Sequence, residues 1–163
     1  MSPRVLVVDD HPMIRKGLRE LLGENGLVVV GEACDGADAE RLARELRPDV
    51  VVLGFARPFA SCLSAARAIL LAAPQTEVIL VAFEDYLIAP AFEAGIRGYV
   101  LKSQIVEELP QAIQKVAAGS VYISPEARAN LVRAFVEEIC DPLSATRSRR
   151  ETVPAPVLML RPS

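Results

Sequence analysis

Five short runs of β-branched and aliphatic residues alternate with helix-forming segments along the first 118 residues of the chain. Each run is hydrophobic at successive positions, which is typical of strands buried on both faces, and each intervening segment is long enough for a crossover helix. We expect strands near residues 4–8, 28–30, 49–53, 77–83 and 98–101, and helices near 12–23, 37–47, 61–73, 86–94 and 106–118. The alternation predicts a doubly wound α/β domain with a five-stranded parallel sheet.

A further helix follows this domain. Residues 121–123 form a short extended piece, and Ser124 followed by Pro125 is typical of a capped helix start. The helix carries an apolar stripe that favours dimerisation, and Cys140 is its last expected residue. We expect a domain over 1–123, a linker helix over 124–140 and a flexible tail over 141–163.

Composition and charge exclude several classes of protein. Hydrophobic residues make up 52% of the 163, so the chain has enough apolar side chains for a folded core. No apolar run reaches the roughly 20 residues that cross a bilayer. The three cysteines lack zinc-binding spacing, so we expect reduced thiols, a cytoplasmic location and no membrane partner.

The net charge of −3 is unevenly spread, because four arginines lie within residues 141–163. The rest of the chain is acidic, which argues against a nucleic-acid surface there. We interpret the basic cluster Arg147-Ser148-Arg149-Arg150 as solvated.

Three motifs at the strand ends together resemble one family. Asp9-Asp10-His11-Pro12 follows the first strand, residues 48–53 read PDVVVL, and residues 94–102 read AGIRGYVLK. Over residues 4 to about 123 the chain resembles the receiver domain of bacterial two-component response regulators, most closely the NarL/FixJ branch with a LuxR-type output. The resemblance implies a flavodoxin-like fold and a role in phosphorelay signal transduction and transcription regulation.

The sequence departs from the family pattern at the position that the resemblance assigns to the phosphoacceptor. That position is Gly54, which has no carboxylate. The Ser or Thr at the end of the fourth strand is Ala82, whereas the aromatic switch position is kept as Tyr99. We therefore expect no aspartyl phosphorylation at the family site, no enzymatic activity and no required cofactor. Asp9 and Asp10 would bind Mg²⁺ weakly at best.

Each retained residue also has a structural interpretation. Asp9 and Asp10 could bind a cation, but we favour their pairing with Lys102, a structural counter-ion, and capping the first helix. We expect Tyr99 to serve packing or an interface rather than a switch. His11, a possible pH sensor, is better interpreted as a residue of the helix start.

Arg57 occupies the place of the family's usual Met beside the loop proline. Its guanidinium could neutralise Asp9 and Asp10 in place of Mg²⁺, or it could simply be solvated. The sequence favours neither of these two interpretations of Arg57.

Three functions compete. The favoured one is a non-enzymatic pseudo-receiver that acts through a homodimer, a sensor histidine kinase or another regulator. Its candidate contact residues are Leu87, Ile88, Phe92, Tyr99, Leu131 and Phe135.

The second is a small-molecule-responsive receiver. Its pocket would be lined by Asp10, Gly54, Phe55, Phe83 and Lys102.

The third, less favoured, is phosphorylation at Asp9, Asp10 or Ser103.

The chain also fits a receiver fragment of a LuxR-type transcription regulator. Only 23 residues follow Cys140, fewer than the roughly 50 that a DNA-binding helical core requires. We therefore expect no sequence-specific DNA binding by this chain.

Overall fold

The computed structural model describes residues 2–54, 59–85 and 87–140. Strands and helices alternate along them, as the hydrophobic runs predict. The elements are β1 (Arg4–Val8), α1 (Pro12–Glu24), β2 (Val28–Ala33), α2 (Gly36–Leu46), β3 (Val50–Leu53), α3 (Phe59–Ala72), β4 (Glu77–Ala82), α4 (Ile88–Glu93), β5 (Gly98–Leu101), a 3₁₀ turn (Lys102–Gln104), α5 (Ile105–Ala117), β6 (Tyr122–Ile123) and α6 (Pro125–Cys140).

All strands of the sheet run parallel, in the order β2-β1-β3-β4-β5-β6. The chain reverses its direction of travel across the sheet after β2, so β1 and β3 become neighbours although they are not consecutive. Ligands of open parallel sheets bind beyond the carboxyl ends of the strands at such a reversal. This topology places the residues after β1 and β3 side by side.

Helices cover both faces of the sheet, because every central strand is hydrophobic on both sides. In β1, Leu6 and Val8 pack in one apolar cluster, with α2, α3 and α4, and Val5 and Val7 pack in the other, with α1 and α5. All four side chains are fully buried. The doubly wound α/β architecture expected from the sequence is confirmed.

The sheet has one strand more than the five expected. Tyr122 and Ile123 pair with Gly98 and Tyr99 of β5, so β5 is not an edge strand. The buried Ser124 extends this connection, since its hydroxyl accepts a hydrogen bond from the Leu101 amide at 3.0 Å. Two residues are too few to show a hydrophobic period, which is why the sequence indicated only an extended piece.

The chain divides into two compact units after Ala127. The first unit continues past residue 123, because Ala127 is fully buried in the cluster that contains Leu6. The described part of the second unit is the remainder of α6, where five large apolar side chains are exposed: Leu131, Val132, Phe135, Val136 and Ile139. None of the helices in the described residues is long and apolar enough to cross a membrane.

Candidate functional site

The candidate site lies where β1, β3 and β5 end. Asp9 and Asp10 follow β1, Gly54 follows β3, and Lys102 follows β5. The backbone of Gly54 is tied to β1, since its N–H donates to the carbonyl of Val8 at 2.8 Å. The fold therefore brings together the strand-end residues that the sequence singled out.

Asp9 is the buried carboxylate of the site, with a residue exposure of 1%. Its Oδ1 accepts a hydrogen bond from the backbone N–H of His11, the N-cap residue of α1, at 2.8 Å. Its Oδ2 is buried and has no hydrogen-bond partner among the described residues. A buried carboxylate oxygen without a partner is costly, and the other polar atoms of Asp9 are paired: its backbone N–H donates to the carbonyl of Ala33 at 3.0 Å.

Arg15, which the sequence reasoning did not single out, binds the backbone of Asp9. Its Nη1 donates to the backbone carbonyl of Asp9 at 2.6 Å, and its Nε lies 3.6 Å from a carboxylate oxygen of Glu32 in β2. Position 15 lies on the first turn of α1, so its place beside the Asp9 backbone follows from the helix start at Pro12. The sequence signal that could have identified Arg15 is a basic residue on the first helical turn after the two aspartates.

Gly54 is in close contact with the Asp9 carboxylate. An ideal Cβ built on Gly54 would lie 2.6 Å from Oδ2 of Asp9 and 3.5 Å from the Val8 carbonyl oxygen. A side chain at position 54 therefore requires the Asp9 carboxylate to move. Oδ2 of Asp9 thus occupies part of the space that a side chain of residue 54 would need.

Lys102 does not pair with the aspartates, so the counter-ion interpretation is wrong for this arrangement. Its Nζ donates to the carbonyl of Gly54 at 3.3 Å and lies 4.4 Å from the ring centroid of Phe83. Among the residues that the structure describes, it forms no ion pair with Asp9 or Asp10. The long lysine stem lets the ammonium reach a carbonyl and an aromatic face instead.

Asp10 pairs with His11 rather than with Lys102. Oδ1 of Asp10 lies 2.9 Å from Nδ1 of His11, and both side chains are about half exposed, at 48% and 58%. His11 occupies the N-cap position of α1 as the sequence indicated, without a side-chain capping hydrogen bond.

Tyr99 is fully buried, and its hydroxyl donates a hydrogen bond to the backbone carbonyl of Glu84 in the loop after β4. Ala82, at the end of β4, is 8% exposed and has no hydroxyl. Tyr99 therefore joins β5 to the β4–α4 loop through its own side chain, and position 82 has no side-chain hydroxyl. Its burial agrees with a packing role and leaves no surface for an interface.

The proposed contact surface around α4 is smaller than expected. Ile88 is 4% exposed and belongs to the apolar core cluster that also contains Leu80 and Tyr99. Leu87 and Phe92 are partly buried against the same cluster. Ile88 and Tyr99 are therefore not available as contact residues in this conformation, whereas Leu131 and Phe135 of α6 are exposed.

Other predicted residues lie outside the described part of the chain. Phe55, Arg57 and the cluster at 147–150 belong to this group. The charge-replacement and ligand-pocket hypotheses depend on Arg57 and Phe55, and both stay predictions. Ser103 is exposed on the 3₁₀ turn.

The donor atoms at the site are a poor fit for a resident Mg²⁺ ion. The cluster consists of two carboxylates and one imidazole, Asp9, Asp10 and His11, whereas Mg²⁺ requires near-octahedral oxygen ligands. Gly54 supplies no third carboxylate. Weak Mg²⁺ binding stays a prediction, and no chemical step is assigned to the ion.

Comparisons with known proteins agree with this fold. The family model described as "Response regulator receiver domain" matches residues 5–114. Response regulator GacA of Pseudomonas aeruginosa is 40% identical over 152 residues, which cover 91% of this chain and 71% of GacA. Response regulator UvrY of Escherichia coli is 33% identical over 151 residues, which cover 90% of this chain and 69% of UvrY.

A solved structure is similar over most of the described residues. The crystal structure of a two-component response regulator of the LuxR family from Aurantimonas sp. SI85-9A1 superposes with a TM-score of 0.78 at 35% identity. The superposition covers 83% of this chain and 99% of that one. The matched residues 5–114 include both aspartates, Gly54 and Lys102.

Proposed function

This chain belongs to the response regulator receiver family, in its LuxR-type branch, and we propose that it is an atypical receiver that signals through protein contact rather than through aspartyl phosphorylation. The family places it in two-component signalling.

The relation between Gly54 and Asp9 carries the proposal. An acyl phosphate forms when a carboxylate oxygen attacks the donor phosphorus and the donor's leaving group departs. Gly54 has no carboxylate, and the space for a side chain is narrowed by Oδ2 of Asp9 at 2.6 Å from the ideal Cβ position. Position 54 therefore has no nucleophile, and a side chain there would require the Asp9 carboxylate to move.

The two aspartates after β1 are poor substitutes for the missing nucleophile. Asp9 is 1% exposed, so an external phosphodonor cannot approach its carboxylate in line. Asp10 is exposed, but its carboxylate lies 2.9 Å from the His11 imidazole. It also has no neighbouring carboxylate at position 54. The geometry favours a receiver that does not turn over phosphoryl groups, and hence a regulator without enzymatic activity.

The switch positions support the same proposal. The hydroxyl of Tyr99 donates a hydrogen bond to the backbone carbonyl of Glu84. Position 82 is alanine, which has no hydroxyl. A phosphoryl group could therefore not be coupled to Tyr99 through a side chain at position 82. We propose that the state of this chain is set by its binding partners.

The exposed stripe on α6 offers a surface for such a contact. Phe135 and Ile139 are 62% and 64% exposed and lie one helical turn apart. Apolar residues at this spacing form a stripe that pairs readily with a second helix. We propose a homodimer as the first partner, with a sensor histidine kinase or another regulator as alternatives, in a cytoplasmic setting.

The proposal is tested by titrating the full chain with Mg²⁺ and then with beryllofluoride, a phosphoryl mimic, while recording two-dimensional NMR spectra. We expect no shifts from beryllofluoride at Asp9, Asp10, Gly54 or Lys102, because the mimic needs an acceptor carboxylate. Shifts at these residues that require both Mg²⁺ and beryllofluoride would overturn the proposal.

A further inference from the structure

Two apolar features lie in the part of the chain that follows the sheet. The first is the α6 stripe, whose five large side chains are 43–64% exposed: Leu131, Val132, Phe135, Val136 and Ile139. A contiguous apolar surface of this kind typically marks a contact site. The second feature lies outside the described residues, where residues 157–160 read VLML. We propose that residues 157–160 fold back onto the α6 stripe of the same chain and compete there with a second copy.

The length of chain between the two features allows this contact. Residues 141–156 link the end of α6 to the apolar run. A flexible chain of about 16 residues spans roughly 20 Å between its ends, and an extended one spans about 50 Å. The stripe occupies only about 12 Å of the helix axis, because each residue between Leu131 and Ile139 adds about 1.5 Å. Residues 157–160 can therefore reach every side chain of the stripe.

The charges of the two segments are complementary and occur in matching order. The last turn of α6 carries Glu137 and Glu138 and no basic residue, although the carboxyl end of a helix favours cations. Three of residues 147–150 are arginines, and they lie between α6 and the apolar run. A chain that turns back along α6 meets its acidic end first and the stripe second. The arginines and residues 157–160 follow one another in this same order.

Tethering favours the segment of the same chain over a second copy. A segment on a short linker is present at an effective concentration in the millimolar range, whereas a second copy competes only at its concentration in solution. A contact of residues 157–160 that is weak in isolation therefore covers the stripe for part of the time. This regulation rests on the proposed α6 dimer, because the contact lowers the affinity of that dimer.

Paramagnetic relaxation in the full chain tests the contact. A nitroxide is attached at Ser163→Cys, with the exposed Cys34 and Cys140 changed to serine so that they are not labelled. We expect the nitroxide to broaden the amide signals of residues 131–139. The variant Leu158→Asp should reduce this broadening at least about twofold, because it places a charge in the apolar run. The matched control Thr152→Asp adds the same charge outside the run and should leave the broadening unchanged.

A mixed sample separates contact within one chain from contact between two copies. It contains a ¹⁵N-labelled chain without nitroxide and a nitroxide-labelled chain without ¹⁵N, so it reports only contact between copies. We expect this sample to show no broadening at residues 131–139. Broadening in the mixed sample alone would overturn the inference, and so would equal broadening in Leu158→Asp and in the chain without this change.

Sedimentation analysis of the same variants measures the competition with the dimer. Leu158→Asp should tighten self-association at least about threefold, because the stripe is no longer covered, whereas Thr152→Asp should not change it. An unchanged dimer affinity in Leu158→Asp would overturn the inference. If all variants stay monomeric, the dimer of the proposed function is contradicted. The relaxation measurement then decides by itself whether residues 157–160 contact α6.

Discussion

Oδ2 of Asp9 lies 2.6 Å from the position that a Cβ on Gly54 would occupy, and it has no hydrogen-bond partner in the described residues. The two residues follow neighbouring parallel strands, so their separation is fixed by the pairing of β1 with β3. A change at one of them must be accommodated by the other.

Gly54→Ala tests this coupling. The added methyl group should lower the free energy of unfolding by roughly 1–3 kcal/mol, because the buried Asp9 carboxylate has to move. In an Asp9→Ala background the same change should be neutral or slightly stabilising, since the obstacle is gone and alanine restricts the unfolded chain. Urea denaturation of the four proteins gives the coupling free energy. Equal costs in both backgrounds would show that Asp9 does not oppose a side chain at position 54.

Gly54→Asp tests the role of the missing carboxylate in Mg²⁺ binding. The variant places a third carboxylate beside Asp9 and Asp10, so like-charge repulsion should lower its melting temperature in metal-free buffer. Millimolar Mg²⁺ should restore stability to the variant and leave the wild-type melting temperature within error, because binding to the folded state alone stabilises it. Gly54→Asn, which adds similar bulk without charge, is the matched control. Equal Mg²⁺ responses of wild type and Gly54→Asp would contradict the prediction.

The hydrogen bond from Tyr99 to the Glu84 carbonyl should hold the β4–α4 loop. Tyr99→Phe removes it, with an expected loss of about 1 kcal/mol and faster amide hydrogen exchange at Glu84 and Asp85. Tyr122→Phe is a matched control, because Tyr122 is also buried and donates to Glu108 at 2.9 Å, away from this loop. If Tyr99→Phe and Tyr122→Phe change the amide hydrogen exchange rate of Glu84 equally, Tyr99 does not hold the loop.

The α6 stripe should mediate self-association. Sedimentation analysis should show a mass that rises with concentration, and Phe135→Glu should weaken the dimer at least about tenfold by removing apolar burial. Ala134→Glu adds the same charge at the adjacent exposed position and should have a smaller effect. A wild-type chain that stays monomeric at high concentration, or equal effects of the two variants, would rule out this dimer surface.

The sequence was sufficient to predict the architecture and the grouping of Asp9, Asp10 and Gly54. Both follow from hydrophobic runs and from the rule that carboxyl ends of parallel strands share one edge. The partner of Lys102 was not predictable, because a flexible side chain chooses among nearby acceptors that only the folded backbone defines. The interface role expected for Ile88 was wrong for a similar reason, since a six-residue helix gives too short a period to separate its buried face from its exposed one.

The most direct test of phosphorylation-independent signalling is the intact mass of the full chain after incubation with a small phosphodonor and Mg²⁺. A phosphorylatable receiver of the same family, treated in parallel, verifies that the donor is active. We expect no phosphoryl adduct on the wild-type chain, since Gly54 has no carboxylate and Asp9 is buried. A stoichiometric adduct mapped to Asp9, Asp10 or Ser103 would contradict it.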